Sequence, residues 1–281
     1  MKKTLNSYRK LLRIEQWYKN FLVFAPLLFA PETIQPWPLL LLAFFGLCNV
    51  SSLTYIANDW LDRGKDRLHP VKKNRPLASG KISSKAALIV ASFLAMFTLI
   101  TAFRIEGLYS FAVLVYFVLT LAYSFGLKNL PLVDIFIIGI NFTLRTLAGL
   151  LTLPTRFELP YFVFIFAFVL LFLTHKRRSD IKLLGAGKAI AHKPVLKFYT
   201  RRVCYGIRAL AYMLILAAFH ELFLEGWSPY FLLAILALLF YTSTLFVKNP
   251  ALAIRPHYLF KNKLWIYLLF LCSLFPFLLI V

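Results

Sequence analysis

The sequence predicts an all-α, polytopic integral membrane protein of nine transmembrane helices. Three observations carry that prediction. First, 60% of the 281 residues are hydrophobic and 15% charged, with 29 Phe and 14 Tyr. A soluble domain of this size cannot bury so much apolar surface, so lipid must serve as solvent for much of it. Second, the apolar residues fall into runs that approach the roughly 20 residues needed to cross a bilayer as a helix. Third, the basic residues lie almost entirely in alternate gaps between those runs.

The runs cover about 20–30, 39–57, 86–103, 108–123, 131–152, 160–174, 205–222, 229–247 and 264–281. The first is short and carries Pro26. With the runs taken alternately, 28 of the 32 Lys and Arg fall on one side and two, Arg104 and Arg156, on the other. Arg145 and Arg208 lie within runs. Glu32, Glu106, Glu158, Glu221 and Glu225 all fall on the Arg-poor side. The positive-inside rule then places the N-terminus in the cytoplasm and the C-terminus outside, in the cell (inner) membrane. The whole chain, 1–281, reads as a single transmembrane domain with two long cytoplasmic loops, about 58–85 and 175–203. They suggest caps over a site on that face. The loops follow the second and sixth runs, a spacing that hints at two four-helix halves plus a ninth helix.

A net charge of +21 would suggest nucleic acid in a soluble protein. Here no stretch is long enough to fold a basic groove, so nucleic acid is excluded and the cations face headgroups or an anionic substrate. The cysteines, Cys48, Cys204 and Cys272, have no metal-binding spacing. They read as small buried apolar residues. A transporter would distribute polar groups through the membrane depth, whereas the acids here lie at boundaries. No nucleophile constellation and no glycine-rich phosphate loop is present.

The sharpest chemical signal is Asn58-Asp59-Trp60-Leu61-Asp62-Arg63-Gly64-Lys65-Asp66. The acids are spaced i, i+3, i+7, which stacks Asp59, Asp62 and Asp66 on one helical face with Asn58 beside them. Three adjacent carboxylates repel unless a cation joins them, and oxygen-only ligands suit Mg²⁺ completed by substrate phosphate oxygens. The alternative is a solvated helix end whose acids pair with Arg63, Lys65 and Arg67. Basic residues follow: Arg67, His69, Lys72, Lys73 and Arg75, the last before Pro76. Each is either a phosphate ligand or a topological charge facing headgroups. Arg145 sits in mid-run, either paired with Asp134 or backbone carbonyls, or lining a cavity as a cation. Arg208 reads as a snorkelling residue.

Asn58-Asp59-x-x-Asp62-x-x-x-Asp66, followed by Asn74-Arg75-Pro76-Leu77-Ala78-Ser79-Gly80, resembles the first signature of the UbiA superfamily of membrane prenyltransferases. Gln16-Trp17-Tyr18-Lys19-Asn20, Tyr123-Ser124-Phe125-Gly126-Leu127-Lys128 and Leu144-Arg145-Thr146-Leu147-Ala148-Gly149 resemble the decaprenyl-phosphate phosphoribosyltransferase branch. The chain departs from that branch at Leu150, which replaces a second glycine. It departs again at Arg178 and Asp180, which replace an aromatic residue and a glutamate. The resemblance spans roughly residues 13–215.

It implies nine helices ringing a lipid-facing cavity and a Mg²⁺-dependent transfer of 5-phosphoribosyl from phosphoribosyl diphosphate to a polyprenyl phosphate. Diphosphate leaves, and the product feeds arabinofuranose and cell-envelope glycan synthesis. It implies Asp59, Asp62 and Asp66 as catalytic metal ligands. Lys19, Asn58, Arg67, Arg75, Tyr123, Lys128, Arg145, Lys176 and Arg177 are the expected substrate contacts. The branch also agrees with the charge pattern. Aromatic prenyltransferases of the superfamily carry a second Asp-rich motif, where this chain has one acid, Asp180, among nine basic residues. A prenyltransferase acting on an aromatic acceptor is the alternative. A homo-oligomer is left open.

Overall fold

The computed structural model describes residues 2–28, 37–68, 72–105, 107–153, 159–254 and 256–269. Among them there is no strand. The α-helices are α1 (Lys2–Leu12), α2 (Trp37–Leu61), α3 (Arg63–Leu68), α4 (Ser84–Ile105), α5 (Gly107–Phe125), α6 (Val133–Leu150), α7 (Leu159–Leu184), α8 (Ala186–His192), α9 (Arg201–Leu224), α10 (Pro229–Lys248) and α11 (Pro250–Ile254). Seven of these, α2, α4, α5, α6, α7, α9 and α10, are long and apolar enough to cross a membrane. The ninth expected span, 264–281, lies mostly outside the described residues.

The outward faces are those of a protein in lipid. The most hydrophobic 18-residue window of α4 has a mean hydropathy of 2.3, yet only 11% of that window is buried. Leu88, Phe93 and Phe103 point away from the protein. In water that surface would be strongly unfavourable; in hydrocarbon it costs nothing.

The described residues form two compact units, Met1–Phe125 with Leu144–Thr155, and Gly126–Thr143 with Arg156–Val281. The first break therefore falls where the fourth apolar run ends. In the first unit α2 is the central element, packed by α1, α4, α5 and the segment Ile14–Leu28. Its core gathers Val23, Leu40, Leu47, Val50, Tyr109, Val113, Tyr116 and Ala148. In the second unit α7 is central, flanked by α9 and α11. Phe246, Ala253 and Leu259 form a buried cluster beside Phe172.

Two predicted elements differ from what folds. The short run at 20–30 is not an α-helix in its described part: Ile14–Leu28 is a 3-10 helix containing Pro26. Such a run exceeds the usual few residues of 3-10 geometry, so local propensity cannot hold it. Tertiary bonds do. Trp17 Nε1 donates to Ser52 Oγ at 3.1 Å, and Asn20 accepts from Arg145 at 2.9 Å. A Cβ on Gly149 would stand 1.9 Å from the Val23 carbonyl oxygen, so only glycine admits the segment against α6.

The second difference lies in the loop expected at 175–203. The helix α7 continues through His175–Leu184. That stretch has no Pro or Gly, and Lys, Arg and Leu favour helix. It ends at Gly185, whose φ of 77° and ψ of 145° suit a residue without a Cβ. Chain beyond it forms α8 and a 3-10 turn at Pro194–Lys197 before Thr200 caps α9 by accepting from the Val203 N–H.

Candidate active site

In the first unit the acidic signature straddles the end of α2 and the start of α3. The i→i−4 bonds Asp62 N–H to Asn58 O, 2.9 Å, and Asp66 N–H to Asp62 O, 2.8 Å, carry the helical path across the junction. Asp59 and Asp66 are thereby kept on one face, and both are 2% exposed. Their carboxylates converge on one atom. Arg75 Nη1 donates to Asp59 Oδ1 at 3.1 Å and to Asp66 Oδ2 at 2.7 Å. Asp62 is half-buried on the same stretch.

Arg75 is delivered by a compact turn. Its N–H bonds Lys72 O at 2.9 Å, and its carbonyl accepts from Ser79 N–H at 2.9 Å. Leu77 and Ile82 pin that turn into a core with Leu11, Ile56 and Ala87. Arg67 reaches back to the Ala78 carbonyl at 3.3 Å.

One residue here was not foreseen. Arg13 Nη2 donates to Asp59 Oδ1 at 2.5 Å, with its guanidinium 4.5 Å from the Tyr55 ring centroid. Nothing in the sequence distinguishes it from the other N-terminal cations; only the fold brings it to Asp59.

The remaining expected contacts of this unit fall into two groups. Lys19 is half-buried with Nζ 3.1 Å from Gln16 Oε1, and Tyr123 is half-buried near the end of α5. Arg145 is 5% exposed. Its Nε donates to Asn20 at 2.9 Å and its Nη2 to the Tyr116 hydroxyl at 2.9 Å. Its guanidinium also lies 4.9 Å from the Tyr116 ring centroid. Tyr116 in turn meets Ser51 at 3.0 Å. Two motifs 125 residues apart thus bond each other, and a mid-membrane cation is balanced by polar and aromatic partners.

The second unit holds a different centre. Asp134, near the start of α6, is fully buried. Arg177 Nη2 lies 2.9 Å and Lys193 Nζ 3.4 Å from its Oδ2, and the Tyr199 hydroxyl donates to its Oδ1. Burial and the neighbouring Arg177 push the Lys193 ammonium down to about 8. Burial and the Asp134 carboxylate push the Tyr199 phenol up. Arg177, expected at a phosphate, is therefore bonded to Asp134. Lys128 and Lys176 are both half-buried. Arg208 bonds the Cys204 carbonyl of its own helix at 3.0 Å and stacks on Tyr205.

With this geometry in hand, the comparison with known proteins is decisive for ancestry. The pattern of the UbiA prenyltransferase family matches residues 20–264. The chain belongs to the UbiA prenyltransferase family. Among its UbiA relatives is a decaprenyl-phosphate phosphoribosyltransferase of Mycolicibacterium smegmatis, 30% identical over 234 residues, covering 75% of this chain and 72% of that protein. A protein of Sinorhizobium fredii, y4nM, is 38% identical over 141 residues, 49% of this chain. The match spans only 27% of that relative's length. The fold resembles a UbiA homolog from Archaeoglobus fulgidus bound to GPP and Mg²⁺, with a TM-score of 0.71 and 20% identity over 96% of this chain and 98% of that one.

That neighbour binds Mg²⁺, and the donors gathered here are of a kind that could hold such an ion. Asp59 and Asp66 present hard oxygens to a single point already taken by positive charge. Mg²⁺ typically takes one or two carboxylates and completes its shell with water and substrate phosphate. Among the described residues no three His, Cys, Asp or Glu side chains gather closely enough to hold a metal by themselves. Asp59 and Asp66 would therefore supply only part of such an ion's shell.

Proposed function

We propose that this chain transfers 5-phosphoribosyl from phosphoribosyl diphosphate to a polyprenyl phosphate. The observation that carries the reading is the M. smegmatis relative, whose similarity runs through 75% of this chain. The charge distribution supports it. The first unit holds a converging carboxylate pair, while the buried carboxylate of the second, Asp134, is engaged by Arg177, Lys193 and Tyr199. One open carboxylate site with surplus cations suits a donor bearing a diphosphate and a separate 5-phosphate.

In this mechanism Asp59, Asp62 and Asp66, with Asn58, hold Mg²⁺ and the donor diphosphate. The bound cation supplies charge neutralisation of the departing diphosphate. Arg75 and Arg67 take diphosphate oxygens, where a guanidinium fork matches phosphate. Lys19, Lys128 and Lys176 answer the remaining phosphates, and Tyr123 offers a polar contact. Arg145 and Arg177 act from behind, fixing the elements that carry those groups. An oxygen of the polyprenyl phosphate attacks C1 of the ribose as the bond from C1 to diphosphate breaks. The nucleophile is already anionic, so no side chain need remove a proton. Positioning and electrostatic stabilisation of an oxocarbenium-like C1 account for the rate. The polyprenyl tail lies against the apolar helices, in the cell membrane, with the site facing the cytoplasm. The product, polyprenyl-phosphoryl-5-phosphoribose, serves arabinofuranose supply for a cell-envelope glycan.

A 4-hydroxybenzoate octaprenyltransferase of Marinomonas sp., 31% identical over 100 residues, 34% of this chain, favours a second reading, transfer of a prenyl chain to an aromatic acceptor. One experiment separates them. Purified protein is incubated with Mg²⁺, polyprenyl phosphate and phosphoribosyl diphosphate, or with a prenyl diphosphate and an aromatic acceptor. Lipid-linked phosphoribose is the expected product. Turnover confined to the prenyl donor would overturn the assignment and leave the fold untouched.

A further inference from the structure

Asp59 Oδ1 accepts from two guanidiniums at once, Arg13 at 2.5 Å and Arg75 at 3.1 Å. They are held very differently. Arg13 begins at a backbone turn, φ 50°, whose carbonyl accepts from the Gln16 N–H at 2.7 Å. Its side chain lies over Tyr55 and is 19% exposed. It serves one acid. Arg75 has a fixed backbone, between the Lys72 and Ser79 bonds, but its more open side chain, 26% exposed, places a single nitrogen between two acids of different helical turns.

That nitrogen stands where the oxygens of Asp59 and Asp66 converge. A divalent cation bound by the same two oxygens must occupy nearly the same place, and two positive charges there repel. We propose that the two guanidiniums divide the work: Arg13 is a fixed positioning residue for Asp59, and Arg75 is a displaceable counter-ion that gives up Asp59 and Asp66 for diphosphate oxygens when the divalent cation arrives. The proposal rests on the reading of Asp59 and Asp66 as the metal-holding pair. Arg75 on its turn swings by side-chain rotation alone, and a diphosphate offers it a bidentate partner in place of the two carboxylates. Metal and diphosphate then assist each other's binding, and linkage makes that assistance reciprocal. The protein alone holds its two acids neutralised, which lowers the cost of keeping two buried carboxylates adjacent.

The test uses Mn²⁺ as probe, its free concentration read by electron paramagnetic resonance, with the full-length protein in detergent and no donor present. Arg75→Met should bind Mn²⁺ roughly tenfold more tightly than the parent, the scale of one charge-assisted hydrogen bond. Arg75→Lys, which restores a cation, should bind as weakly as the parent. Asp66→Asn added to Arg75→Met should abolish the gain. Arg13→Lys in the Arg75→Met background keeps charge but loses the planar fork over Tyr55, and should weaken Mn²⁺ severalfold. Thermal unfolding identifies any variant that fails to fold, and Arg75→Gln replaces Arg75→Met in that event. Mn²⁺ affinity of the Arg75 variant equal to or below the parent's would overturn the counter-ion role. Equal tightening by Arg13→Met would overturn the division of labour. Phosphoribosyl transfer is not read, so failure of the donor assignment leaves these outcomes intact.

Discussion

Each unit builds one buried aspartate centre, and the two are opposites. In the first, two carboxylates converge on a half-exposed guanidinium at the junction of α2 and α3. In the second, one fully buried carboxylate is surrounded by a guanidinium, an ammonium and a phenol. In the first centre Asp59 and Asp66 share one guanidinium, that of Arg75. In the second Asp134 alone takes Arg177, Lys193 and Tyr199. The contrast teaches that a buried charge cluster is poised for chemistry when its ligands outnumber its fixed partners, and is structural when they do not.

The largest expected effect tests the structural member. Asp134→Asn leaves Arg177 buried without its counter-charge and should cost about 3–5 kcal/mol of stability. Unfolding measured in detergent reads this directly. Adding Arg177→Ala should recover part of the loss, since both changes delete one interaction. Independent, additive losses would dissolve the supposed centre.

Next comes the chemical member. Asp66→Asn preserves shape and removes charge from the proposed metal-holding pair, so the rate of transfer should fall at least ~10²-fold with little change in unfolding temperature. Asp62→Asn should act in the same direction. Full activity with an unaltered Mg²⁺ response would place the metal elsewhere.

A smaller effect concerns the scaffold of the first centre. Gly149→Ala drives a methyl toward the Val23 carbonyl, 1.9 Å away before relaxation. Overpacking of this kind costs about 1–3 kcal/mol, and the 3-10 segment carrying Lys19 should loosen. Faster amide hydrogen exchange confined to residues 14–28 is the expected signature.

The smallest effect is a pH dependence of the second centre. Lys193 titrates near 8 rather than its usual 10.5, because burial and Arg177 oppose its charge more than Asp134 and Asp180 support it. Between those values the unfolded chain holds a proton that the folded chain has released. Stability from this group therefore rises with pH across the window and is lost as pH falls toward 8. Lys193→Met should flatten that rise relative to the parent, whereas a parallel pair of unfolding profiles would show Lys193 titrating normally.

Much of the first centre was legible before folding. The i, i+7 spacing of Asp59 and Asp66 is enough to put them on one helical face, and Arg75 beside Pro76 stood out as a directed cation. Arg13 was not legible: 46 residues separate it from Asp59, and a lone arginine in a basic tail carries no positional signal. For the second centre the sequence left the partner of Asp134 open. Arg145 and Asp134 share a helix and invited pairing, but Arg145 turns to Asn20 and Tyr116 while Asp134 takes Arg177. Eleven residues of α-helix bring the two back to nearly one face but set them about 16 Å apart along the axis, so each meets the partners at its own level.

By itself the sequence determined that this protein is helical, that it carries spans apolar enough to cross a membrane and that an acidic signature ends α2. These follow from composition and short-range periodicity, which act within a few residues of each other and survive any arrangement of helices. The tertiary structure alone decided which cation answers which acid, and that residues 14–28 wind as a 3-10 helix rather than as a span of their own. Those outcomes depend on contacts between segments far apart in the chain, such as Asn20 with Arg145 and Val23 with Gly149, whose energies exceed local propensity and leave no mark on the local sequence.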